Sequence, residues 1–230
     1  MSDLFVWGLS KFRDFETCPA MFHAKYITKE WIDTPNSAME RGSWVDKQLE
    51  DAVKYDLMLP NELAGLQPFV DACCAMKGQA GVFVTPQLKL GLSVNYQRVD
   101  YFKGDRLRAR AMFDLSIEDN GKFKLIDYKT GKYKPFHLGD AEFYGAMCHV
   151  GLGSLSTEVA YLYVDEPHNC FSHQVTDAPL VLANWYKKFE YADKQVAAGN
   201  IPANSCNACA WCGNYKCPKN RNQKLKDQAQ

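Results

Sequence analysis

Two strand-like runs meet at Asn120-Gly121, and that junction constrains the chain more than any other feature. Arg106 to Glu118 and Lys122 to Lys129 are short β-rich segments. Asn-Gly between such runs is a strong signal for a two-residue hairpin, because both turn positions need positive φ. Residues equidistant from the turn then face each other, which puts Asp114 opposite about Asp127. Strands have a period of two, so Asp127 and Lys129 project from one face together with Phe123 and Leu125. Two charged groups therefore end an otherwise apolar stripe, which is costly for a purely structural strand. Facing carboxylates repel, and a hard divalent cation such as Mg²⁺ relieves this by binding one or two carboxylates plus water. An isolated Asp-x-Lys tripeptide is most often a solvated edge-strand ion pair, so the surrounding chain must decide its meaning.

Before the hairpin the chain reads as helical. Ser10 caps a short helix running to Thr17, and Pro19 opens a second toward Ile27. Apolar residues at helical spacing (Ala38, Val45, Leu49, Ala52, Val53) predict a helix from Asn36 to about Leu57, followed by another between Pro60 and Lys77. Val82 to Leu92 is a further strand. After the hairpin come a helix over Leu138 to Val150, strands at Glu158 to Asp165 and Cys170 to Val175, and a long helix from Pro179 to Ala198. The expected architecture is α/β, a central mixed sheet flanked by helices, in one domain spanning residues 1–230.

Twenty-seven basic residues balance 27 acidic ones, so net charge offers no steering toward a polyanion, and any nucleic-acid affinity must be local. No stretch approaches the roughly 18 uninterrupted apolar residues of a membrane helix, and the N-terminus is charged where a signal peptide is apolar. A soluble, cytoplasmic protein without membrane contact is expected. Nine cysteines in such a chain read as metal ligands or core residues before disulfides. Cys206, Cys209, Cys212 and Cys217 fall within 12 positions, too dense for core packing, and clustered thiolates of this kind hold Zn²⁺ or an iron–sulfur cluster. Cys73, Cys74, Cys148 and Cys170 lie on apolar segments and are expected in the core.

Taken together, Asp114, the hairpin, Asp127-Tyr-Lys129-Thr-Gly-Lys132, the helix tyrosine Tyr144, and the cysteines at both chain ends resemble the PD-(D/E)XK nuclease superfamily, with its restriction-endonuclease-like core. Within it they resemble the RecB-type branch, which includes CRISPR-adaptation nucleases and phage exonucleases. The resemblance spans nearly the whole chain. It implies a metal-dependent DNA nuclease, more specifically an exonuclease acting on DNA ends or single strands with Mg²⁺ or Mn²⁺, in the host cytoplasm if phage-encoded. Asp114 and Asp127 are then metal ligands, Lys129 holds or polarises the attacking water or balances the scissile phosphate, and Tyr144 either contacts phosphate or orients a ligand, or is a packed tyrosine of an amphipathic helix. Where the branch carries Arg-Gly-x-x-x-His, this chain has Arg41-Gly42 followed by Asp46, a third acidic ligand that favours hard, all-oxygen coordination. Glu50 lies one turn on and is either a further ligand or a solvated helix charge. Where the branch carries Gln-x-x-x-Tyr, this chain has Asp140-Ala-Glu-Phe-Tyr144. Asp140 cannot donate as glutamine does, and it suits a helix N-terminus.

The resemblance also implies that Cys18 joins Cys209, Cys212 and Cys217 around a 4Fe–4S cluster, so that the cysteine segment 206–217 packs against the N-terminal segment around Cys18. The local alternative is Zn²⁺ held by Cys206, Cys209, Cys212 and Cys217. Lys132 and Lys134, directly after the active strand, are the first candidates for DNA contact. Tyr186-Lys187-Lys188-Phe189 and the tail Lys216, Lys219, Arg221, Lys224 and Lys226 are further basic stretches. Two rival readings remain: a catalytically silent nucleic-acid-binding protein on the same fold, and a zinc-binding interaction module.

Overall fold

In the computed structural model, residues 5–33 and 36–222 are described. In chain order the elements are α1 (Leu9–Thr17), α2 (Pro19–Phe22), a π-turn (His23–Ile27), α3 (Ser37–Tyr55), a 3₁₀ segment (Asn61–Leu66), α4 (Gln67–Met76), β1 (Val82–Ser93), β2 (Arg98–Val99), β3 (Leu107–Asp119), β4 (Lys122–Lys129), α5 (His137–Leu152), β5 (Ser156–Tyr163), β6 (Phe171–Gln174) and α6 (Ala178–Ala197). They form two compact units, Met1–Val6 with Ser37–Asn184, and Trp7–Asn36 with Trp185–Gln230.

The first unit is a mixed six-stranded sheet of order β2-β1-β3-β4-β5-β6, in which β4 and β5 are parallel and the other neighbours antiparallel. The expected hairpin is present: Asp119 pairs with Lys122, and Asn120 and Gly121 take φ of 47° and 80°. Both values suit a type I′ turn, whose twist matches that of the strands. From α3, Val45, Leu49, Ala52 and Val53 are buried against Leu115, Ile117, Ile126 and Tyr128 of β3 and β4, with Val70 and Cys73 of α4 in the same cluster. Helix α5 covers the opposite face, where Val159, the partner of Leu125, lies under Gly145. A Cβ at Gly145 would come within 2.1 Å of Val175 Cγ2, so this helix needs glycine to sit so close to the sheet. Sandwiched between helix layers, β4 is buried on both faces from Leu125 to Tyr128, so it is a central strand rather than an edge.

The second unit is organised around Trp7. Its indole stacks on Phe22 (5.1 Å between centroids, 13° between planes) and on Phe189 (5.6 Å, 9°), and meets the edges of Phe12 and Phe15. The indole Nε1–H donates to Asp193 Oδ1 at 2.9 Å, satisfying the polar end of a fully buried ring. Phe189 is also fully buried. Phe189→Ala is therefore expected to cost about 3–5 kcal/mol in a denaturant titration, since it removes one wall of the indole's slot.

Several expectations are corrected. Ser10 is not the cap: the first helical bond runs from Phe12 N–H to Gly8 C=O, and the extended backbone of Gly8 fills the cap position. The helix expected between Pro60 and Lys77 divides, because Pro68 has no N–H to continue a preceding turn and fits the first turn of a new helix. Cys170 is exposed before β6, where its Sγ accepts the Tyr163 N–H at 3.2 Å; Cys73 and Cys148 are buried as expected, and Cys74 is half-buried. Burial pushes the Cys73 thiol up to about 11 and Cys148 to about 12, which keeps both protonated and unreactive. Among the described residues, no helix is long and apolar enough to cross a membrane. Lys224 and Lys226 lie outside the described residues.

Candidate active site

Strands β3 and β4 stay paired from Asp119–Lys122 to Leu115–Ile126, and then part. Continued, the register would bring Asp114 opposite Asp127. Instead, Asp114 Oδ2 accepts the backbone N–H of Tyr128 at 2.8 Å. A side-chain carboxylate thus replaces a strand carbonyl, the sheet opens, and the carboxyls of β3 and β4 share the gap.

Asp127 is buried. Lys129 Nζ is in direct ion-pair contact with its Oδ2, and among the described residues this buried oxygen accepts no further hydrogen bond. Burial raises the Asp127 carboxyl above the ordinary range, against the pull of Lys129. Asp114 is pushed up to about 8 by burial first and then by the charge of Asp127, with the Tyr128 N–H working the other way. Asp46, half-buried on α3, is also raised, by burial first and then by repulsion from Asp127, with Lys129 opposing. For Lys129, burial lowers the ammonium's pKa, but Asp127, then Asp114 and Asp140, outweigh it and the group stays charged. Asp46, Asp114, Asp127 and Lys129 therefore share one electrostatic neighbourhood. Glu50, one turn further along α3, lies in the field of Lys47.

The ring of Tyr144 meets that of Phe113 edge-on at 5.4 Å. Burial, and then the carboxylates Asp127, Asp114 and Asp140, raise its phenol far above the ordinary value, so it remains a neutral donor at any working pH. Asp140 is buried in the first turn of α5 and lies within the field of Lys129, more than a helix-end charge requires. The sequence pointed to neither Tyr161 nor His137. Lys129 Nζ sits 5.4 Å from the Tyr161 ring centroid, and that ring is stacked between His137 (5.2 Å) and Phe171 (5.0 Å). Lys132 and Lys134 are exposed in the loop after β4, with Lys134 Nζ 5.6 Å from the Phe136 ring.

The oxygen donors here fit a hard divalent cation. They include a buried carboxylate oxygen that, among the described residues, meets Lys129 and accepts no further hydrogen bond, and two further carboxyls that burial and repulsion from Asp127 hold toward neutrality. Among the described residues, no group of three or more Asp, Glu, His or Cys side chains is placed to hold a metal ion. Mg²⁺ does not require one, because it keeps several waters and takes one or two carboxylates.

In the second unit, Cys18, Met21 and Cys212 pack together, and Asn204 N–H donates to Cys18 Sγ at 3.4 Å. Burial raises the Cys212 thiol, with Cys217, Cys18 and Cys209 adding repulsion. Cys206 Sγ lies 3.9 Å from Cys209 Sγ. Thiolate sulfur is a soft metal donor, but among the described residues no three or more of these side chains are placed to hold a metal ion.

No protein-family model and no curated protein sequence matches the chain. Solved structures do. A "putative exonuclease" from Eubacterium rectale is 14% identical, with 96% of this chain and 92% of that one covered, at a TM-score of 0.50. This chain has a nuclease-like fold. The protein SSO0001 (14% identity, 96% and 88% covered, TM-score 0.42) and the alkaline exonuclease LHK-Exo from Laribacter hongkongensis (16%, 85% and 94%, 0.34) are also similar. On the nuclease-like fold of this chain, the carboxylates gather where β3 and β4 part, at the end of the central strand.

Proposed function

We propose that the protein is a metal-dependent deoxyribonuclease that hydrolyses DNA phosphodiesters at the β3–β4 opening. The observation that carries this reading is the buried Asp127 oxygen that meets Lys129 and, among the described residues, accepts no further hydrogen bond, with two carboxyls disfavoured as anions close by. Asp114 and Asp127 hold the cation, and Asp46 supplies a third oxygen donor. When bound, Mg²⁺ or Mn²⁺ supplies the Lewis acidity that stabilises charge developing on the phosphoryl oxygens. Lys129, held charged by Asp127, orients the attacking water and balances the phosphate. Tyr144 donates a hydrogen bond to a phosphate oxygen, and Lys132 and Lys134 steer the strand toward the opening. The finer reading is exonucleolytic action on DNA ends or single strands, in the RecB-type manner, by a cytoplasmic protein of phage or CRISPR-associated origin. Incubation of labelled linear and covalently closed circular DNA with Mn²⁺ tests it: loss of the linear form alone is expected, and cutting of closed circles would overturn the exonuclease reading. DNA binding without cleavage would leave the catalytically silent binder.

For the sulfur centre we infer a 4Fe–4S cluster on Cys18, Cys209, Cys212 and Cys217, with Zn²⁺ through Cys206 as the rival. The support is that Cys212 has Cys18, Cys209 and Cys217 as its electrostatic neighbours. Protein purified without oxygen is expected to be brown and to contain iron and sulfide. Cys18→Ser abolishes the colour and Cys206→Ser retains it. Colourless protein with one zinc, lost on Cys206→Ser, would reverse the assignment.

A further inference from the structure

Although the whole chain is neutral, residues 89–110 hold six cations (Lys89, Arg98, Lys103, Arg106, Arg108, Arg110) against two acids (Asp100, Asp105). This stretch covers the end of β1, β2 and the start of β3, and its loop carries two adjacent aromatic rings. Tyr101 and Phe102 meet edge-to-face at 4.9 Å. Lys89 Nζ lies 5.3 Å from the Phe102 centroid and 6.0 Å from that of Tyr101, and Arg110 Cζ lies 5.3 Å from Tyr101. Phe102 is 65% exposed, an unusual setting for a large apolar ring.

The loop that presents it is well fixed. Asp100 Oδ1 accepts the N–H groups of Phe102 (2.9 Å) and Lys103 (2.7 Å), and Asp100 C=O accepts that of Gly104 at 3.0 Å. A side chain at Gly104 would have its Cβ only 2.6 Å from Asp100 O, so the tight turn needs glycine. With its carboxylate committed to the backbone, Asp100 has less capacity to neutralise the neighbouring cations. The patch also borders the site. Arg110 is four residues before Asp114 on β3, and Tyr101 lies within the electrostatic field of Tyr144.

We propose that Tyr101 and Phe102, flanked by Lys89 and Arg110, form a platform that binds a single DNA strand leading into the active site. A base stacks on the exposed face of Phe102, and the two cations engage the adjoining phosphates. Exposed aromatic rings interleaved with cations suit single strands, because a paired base has its faces covered by its neighbours. The inference deepens the nuclease reading and rests on it for the fate of the bound strand, while the binding itself is measured apart from catalysis.

The test is fluorescence anisotropy of a labelled single-stranded oligonucleotide and of a blunt duplex, in EDTA, with the full chain. Phe102→Ala is expected to weaken single-strand binding by about 5- to 150-fold, the usual worth of one base–aromatic stack, and to affect the duplex less. Lys89→Ala and Arg110→Ala are each expected to reduce the salt slope for single strands by about 0.7. Leu155→Ala, which trims another exposed apolar side chain (73%), is the control and leaves affinity unchanged. Unaltered binding by Phe102→Ala, or equal losses on single strand and duplex, overturns the platform. DNA cleavage with no dependence of binding on Phe102 would keep the nuclease reading and sink this one. Phe102-dependent binding by a protein that cuts nothing would do the reverse.

Discussion

Asp114→Asn is expected to make the metal-free protein more stable at pH 8 and to abolish DNA cleavage. Asp114 has an ordinary carboxyl value of 3.8 and one of about 8 in the fold, through burial and the charge of Asp127. The native state therefore holds a proton that the unfolded chain releases. Its stabilising contribution is complete below about pH 4 and is lost as pH rises through 8. Asparagine keeps the acceptor for the Tyr128 N–H but carries no charge, so that loss disappears. In EDTA, thermal melts of the wild type are expected to fall between pH 4 and 8 and those of the variant to fall less, with a gain of about 1–3 kcal/mol at pH 8. Without the Asp114 carboxylate the site loses a cation ligand, and cleavage is expected to drop by about 100-fold or more. A variant less stable than wild type in EDTA at pH 8 would contradict this account of the carboxylate cluster.

The second large effect is at Lys129. Lys129→Met removes the one cation that touches Asp127 among the described residues and leaves a buried carboxylate unpaired. Breaking a fully buried ion pair costs about 3–5 kcal/mol, and the 32% exposure of the Lys129 side chain brings the expectation down to about 1–3 kcal/mol. Adding Asp127→Asn to Lys129→Met is expected to restore most of that stability, since no buried charge remains, while activity stays absent. Denaturant titrations of the two single variants and the double variant give the coupling directly. Additive losses in the double variant would mean that the pair does not hold the strand end together.

Much of this site was legible in the sequence because its information is local. Asn120-Gly121 fixes the turn, the turn fixes the register as far as Leu115 and Ile126, and that register brings Asp114 and Asp127 to the same end of the hairpin; the strand period then places Lys129. What the sequence could not supply is the parting of the strands. That depends on Asp114 accepting the Tyr128 N–H, a choice between side chain and backbone that no periodicity records. Long-range partners were hidden in the same way. The alternation in Ser156–Tyr163 reveals a half-buried strand, but not that it lies parallel to β4 with Tyr161 beside Asp127. Helix starts misled at Ser10 because a good capping residue stood near an end that Gly8 could also cap. Cys170 misled because an apolar neighbourhood in sequence need not be a buried one. The platform at Tyr101 and Phe102 escaped notice because its cations come from different strands and gather only when β1 and β3 pair.

The most direct test of the central claim is cleavage of end-labelled linear DNA by purified wild type and Asp127→Ala, each with Mg²⁺ or Mn²⁺ and each with EDTA. The account predicts shortening of the label by wild type with metal, none in EDTA, and none by Asp127→Ala in either condition. Equal degradation by wild type and Asp127→Ala, or cleavage undiminished by EDTA, would contradict a metal-dependent nuclease centred on Asp114, Asp127 and Lys129.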